Sequence, residues 1–135
     1  MNAKKMMISL IAFVAFSSQA STSITISALA NCLAAPPSTT DEGGTTASVQ
    51  LEPGRYVLSL VSNNMSCSNG TLSGGCLIDT VMVQGGWGTS RWGKTVTAQP
   101  VVVDYTAAST LSAYVYDQGC YNNTGQATLL IEKAQ

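Results

Sequence analysis

The chain has 135 residues, a formal charge of −1 and no histidine; charged residues make up only 10% of it. A nucleic-acid partner wants a basic face, which this balance excludes. The lack of histidine removes the usual Ser-His-Asp and Cys-His routes to nucleophilic catalysis, and an enzyme is not expected.

Met1 to Ala20 reads as a signal peptide. Lys4 and Lys5 precede an apolar run from Met6 to Phe16, and Ser18-Gln-Ala20 offers the small residues of a cleavage site. The run is too short to span a bilayer as a mature helix. Ala28-Leu-Ala30 is a second place for the cut, and Leu29-Ala-Asn-Cys32 is a faint lipoprotein-like box. Cleavage after Ala20 leaves 115 residues and, with Lys4 and Lys5 gone, a charge of −3. That is one domain, secreted, periplasmic or at the cell surface, with no membrane span.

Residues 21–46 read as an N-terminal arm or linker, with Ser23 to Leu29 able to form a first strand and a Pro-, Thr- and Gly-rich stretch after it. The main domain is expected over 47–135. Ala47 to Leu51 is a short strand, and Glu52-Pro-Gly-Arg55 is a turn into a longer one ending at Ser62. Asn63 to Gly75 is a polar loop. Cys76 to Gln84 reads as a mostly apolar strand, and Lys94 to Thr97 and Pro100 to Tyr105 as shorter ones. Near the C-terminus, Leu111, Ala113 and Val115 alternate with polar residues, as do Ala127, Leu129 and Ile131. Period two on one apolar set marks strands half-buried on a core. No stretch holds a helical period. An all-β sandwich of jelly-roll type follows, with seven to eight short antiparallel strands. An immunoglobulin-like sandwich is the alternative, though it lacks the Cys–Trp–Cys spacing.

Four cysteines behind a signal peptide imply two disulfides. Of the three connectivities, Cys67–Cys76 closes a short local loop and Cys32–Cys120 ties the N-terminal arm to the last loop. No C-x-x-C pair and no histidine are present to make a zinc site.

Two stretches carry candidate chemistry. Gln84-Gly-Gly-Trp87-Gly-Thr-Ser-Arg91-Trp92-Gly-Lys94 sets two tryptophans among four glycines. Glycine gives a ring little local cover, so Trp87 and Trp92 could stack on sugar faces while Arg91 bonds hydroxyls. The same rings would serve equally as packing. The second stretch is the loop Asp117 to Gly125. Asp117, Asn122, Asn123 and Thr124 gather oxygens, with Asp104 as a further source from a neighbouring strand, and oxygen ligands suit calcium. The asparagines and glycines also suit a plain turn.

Tyr116, Asp117, Tyr121, Asn122, Asn123 and Gly125 together resemble the C-terminal end of the bacterial galactose-binding lectins, small calcium-dependent jelly rolls. The resemblance implies that Asp117, Asn122 and Asn123 ligate calcium, which bridges to sugar hydroxyls, with Tyr121 beside the sugar. The loop is one residue shorter than in that family, Cys120 stands where a hydroxyl residue serves the ion, and the family's sugar-contacting histidine has no counterpart. The expectation is a calcium-assisted carbohydrate-binding domain. The alternative is a structural or adhesion domain that binds protein partners or forms a homo-oligomer through its sheet edges.

Overall fold

The computed structural model describes residues 20–34, 43–68 and 76–135. The signal peptide expected over residues 1–20 lies outside them except for Ala20. Nine strands are described: β1 (Ser21–Ser27), β2 (Cys32–Ala34), β3 (Ala47–Leu51), β4 (Gly54–Asn63), β5 (Val81–Trp87), β6 (Ser90–Val96), β7 (Val101–Tyr105), β8 (Ser109–Asp117) and β9 (Gln126–Lys133). They form a β-sandwich. One sheet has the order β1-β9-β4-β7; the other runs β2-β8-β5-β6, with β3 also pairing β8.

The inward residues of the alternating strands meet between the sheets. Ile26, Leu58, Leu129 and Ile131 come from the first sheet, and Val81, Val83, Leu111, Ala113 and Val115 from the second, all of them buried. Each fully buried side chain of this size is worth about 1.5–3 kcal/mol over an exposed one.

Two expectations need correcting. Residues 21–34 are not an arm: β1 pairs antiparallel with β9 along its whole length, and Ile26, Ala28 and Cys32 belong to the core. The sandwich therefore begins at residue 21 rather than 47. Nor are all the pairings antiparallel, because β2 runs parallel to β8, with Cys32 opposite Val115. The turn between β1 and β2 explains the crossover from one sheet to the other. The Asn31 side-chain oxygen accepts from the Ser27 amide, its amide group donates to the Thr45 carbonyl, and Ala30 N–H donates to the Ser27 hydroxyl. Beyond that turn β2 and β3 line the same edge of β8 in succession.

Both disulfides form as the sequence suggested, Cys32–Cys120 and Cys67–Cys76. Cys32 is thus a disulfide partner, which removes the thiol that a lipoprotein anchor would need.

Candidate functional site

The tryptophan-rich stretch is a hairpin. β5 and β6 pair from Val81–Val96 out to Trp87–Ser90. The two tryptophans part company there. Trp87, at the tip, is 68% exposed. Trp92 lies opposite Gly85 on the inner side and packs edge-on against Tyr105 of β7 in the other sheet. It is therefore mainly a packing residue that closes the sandwich between its two edge strands. Its indole nitrogen and the Tyr105 hydroxyl are both buried without a hydrogen-bond partner. Burial, reinforced by neighbouring Tyr56, pushes the Tyr105 phenol up to about 12.

Beside this hairpin a groove of about 400 Å³ is lined by Gln84, Gly85, Gly86, Arg91, Trp92, Gly93, Thr110 and Ser112. Its polar members follow from the pleat. Thr110 and Ser112 alternate with buried Leu111 and Ala113 on β8, and Gln84 follows buried Val83 on β5, so all three face outward. Gln84 donates from its amide nitrogen to the Tyr114 hydroxyl at 2.7 Å. Gln50 of β3 donates to the Thr110 hydroxyl at 2.9 Å. Arg91, opposite Gly86, is exposed and supplies the groove's cationic group. The surface is a set of amide and hydroxyl groups with one guanidinium; the uncovered Trp87 indole stands at the hairpin tip, outside this lining.

The loop after β8 is a separate place. A single 3-10 turn spans Cys120–Asn122. The Asp117 carboxylate accepts from the Gly119 amide at 3.4 Å, and Asn123 is buried, donating to Cys32 Sγ at 3.4 Å. Gly125 has φ +82, and a Cβ there would run into the Asn64 backbone. The side-chain oxygens of Asn122 and Asn123 are both buried without a partner. Two orphaned amide oxygens in one loop with Asp117 fit an oxygen-seeking cation. No group of three or more His, Cys, Asp or Glu gathers among the described residues, so any such ion would lean on amide and main-chain oxygens.

Two predicted site residues fall away from their expected neighbours. Asp104 sits on β7, where Arg55 binds it through Nε at 2.8 Å and NH2 at 3.2 Å and holds its carboxyl below the ordinary value. A short connection joins Tyr105 to Ser109, while Asp117 lies at the far end of β8, about 27 Å of strand away. Asp104 therefore cannot share an ion with Asp117. Tyr121, 70% exposed, stands on the distant loop as well. The register puts Gln84 opposite Ser112, so Trp87 is level with Ser109. Tyr121 is thus at the opposite end of the sandwich from Trp87 and Arg91, and does not join them.

The sequence reading missed Thr110 and Ser112 as groove residues, and Gln50 and Ser48 paired beside them on β3. Their signal was the polar half of the alternation, which was read only for the core it implied. Comparison with family models, with curated proteins and with solved structures finds no match to this chain.

Proposed function

We propose that this is a carbohydrate-binding domain whose binding face is the outer surface of the five-stranded sheet. The observation that carries the reading is a groove walled by Gln84, Thr110, Ser112 and Arg91, with an exposed Trp87 next in sequence to its Gly86. Sugars present apolar C–H faces and hydroxyl edges. An uncovered indole takes the first, and amides, hydroxyls and a guanidinium take the second. The reading is of binding without catalysis. The two disulfides suit a secreted or periplasmic setting. Among the described residues no helix is long and apolar enough to cross a membrane.

Calcium enters this proposal as a loop ion, held by Asp117 and the side-chain oxygens of Asn122 and Asn123. The groove lies at the other end of the sheet, so the ion acts on the loop and its disulfide rather than on the sugar. A glycan array read with and without chelator tests both parts. Sugar binding that survives chelation and disappears in Trp87→Ala supports the reading; binding that needs calcium and ignores Trp87 rejects it.

The adhesion alternative rests on one observation. Val102, Val57 and Leu130 face outward on the four-stranded sheet, and Val102 is 48% exposed on β7, an edge strand among the described residues. A monomer at high concentration by light scattering argues against self-association through that face.

A further inference from the structure

Three glycines line the groove, and they are not alike. At Gly85 a Cβ would run into the Tyr105 hydroxyl and the Trp92 ring. At Gly86, φ is +97 and a Cβ would meet the Ser90 carbonyl. Glycine at both positions is accounted for by contacts within the protein. At Gly93 a Cβ would meet nothing nearer than the Val83 carbonyl at 3.7 Å, an ordinary contact, and the backbone is not in the left-handed region. Glycine in a strand interior weakens the strand and often marks a place where something else comes close. Nothing within the protein comes close at Gly93.

Its place in the register supplies a reason. Ser48 is opposite Ser112, Ser112 opposite Gln84, and Gln84 opposite Gly93. These four residues form one row across β3, β8, β5 and β6, spanning three strand spacings of about 4.8 Å each. Gln50 and Thr110, joined by their hydrogen bond, lie in the next row beside the first. β3 and β6 are edges of this sheet among the described residues. The row is thus hydroxyl, hydroxyl, amide and then a gap at the β6 edge.

We propose that the groove is an open trough for internal units of a linear neutral polysaccharide, and that Gly93 keeps its exit at β6 clear. This rests on the carbohydrate reading above and narrows it to a ligand class. A pocket for a terminal sugar needs a closed end, and a side chain at position 93 would provide one at no steric cost. The neutrality of the ligand follows from the lining: apart from Arg91 the rows carry hydroxyls and amides, with no acidic or basic stripe to match a polyelectrolyte.

The test compares wild type, Gly93→Ser, Gly93→Phe and Gly93→Gln. Probes are hydroxyethylcellulose, galactomannan, xylan and β-1,4-galactan in native affinity electrophoresis, with the matching hexa- and disaccharides in calorimetry. Thermal melts confirm folding, and Gly93→Gln serves if Gly93→Phe does not fold. The expected result is retardation of wild type and Gly93→Ser by at least one polymer, with hexasaccharide affinity falling about tenfold or more in Gly93→Phe and disaccharide affinity unchanged. Wild type that binds a disaccharide but no polymer overturns the trough and leaves the carbohydrate reading standing. So does a bulky variant that binds polymer and hexasaccharide as wild type does. Wild type that binds none of the saccharides overturns both.

Discussion

Trp92 and Tyr105 meet edge to face, with ring centroids 5.5 Å apart and planes at 84°. One ring comes from β6 and the other from β7, so this contact joins the edge strands of the two sheets. Tyr105 in turn meets Tyr56 edge-on at 5.8 Å. Edge-to-face pairs of this kind contribute about 0.5–1.5 kcal/mol beyond the area they bury. The contact exists only because Gly85 leaves room for it.

Gly85→Ala should therefore destabilise the domain by about 1–3 kcal/mol, the usual cost of overpacking. Tryptophan fluorescence during urea unfolding would report it, and an unchanged midpoint would show that the rings have space to move.

Tyr105→Phe should act in the opposite direction at neutral pH. The buried hydroxyl has no partner, and a group in that state costs about 1–3 kcal/mol; removing it should hold or raise the melting temperature. The pH dependence has a definite sign. The folded phenol titrates near 12 against an ordinary value of 10, so the unfolded chain loses this proton first as pH rises. Wild-type stability should fall between pH 10 and 12. Melts across that range should be flatter in Tyr105→Phe.

Replacing both Cys32 and Cys120 by alanine should cost about 2–5 kcal/mol, since the bridge closes a long stretch of chain. It also fixes β2 against the loop that carries Asn122 and Asn123. Denaturant titration gives the loss. Calorimetry should then find any calcium heat of the wild type reduced in the variant.

Trp87→Ala should leave the melting temperature close to wild type, because the ring is exposed, and should weaken saccharide binding by about 1–3 kcal/mol as aromatic anchors do. Asp117→Ala should do the reverse: unaltered saccharide affinity, and loss of the small rise in melting temperature expected of millimolar calcium by mass action if the loop binds it. Loss of sugar binding in Asp117→Ala would reconnect the two ends and count against the separation described above.

Much of the architecture was legible from alternation. Leu111, Ala113 and Val115, and Ala127, Leu129 and Ile131, are buried as their spacing requires. Cysteine separation was enough to give both bridges. β2 was not visible, because three residues held by a turn and a disulfide have no period to read. The β5–β6 hairpin was hidden for another reason. Gly85, Gly86 and Gly93 break the pattern of side chains that marks a strand, and so Gln84 to Lys94 was not read as paired strands. The two tryptophans were indistinguishable in sequence. Register alone decides that Trp92 faces the core opposite Gly85. The supposed gathering of Asp104 with Asp117 failed on topology, since a full strand separates them.

The pairing of β1 with β9 has a consequence for how the molecule is made. β9 is the central partner of both β1 and β4, and it follows the other described strands in the chain. Until it is synthesised, β1 has no strand to pair with in its sheet among the described residues. Contacts this distant in sequence also slow the search for the native state.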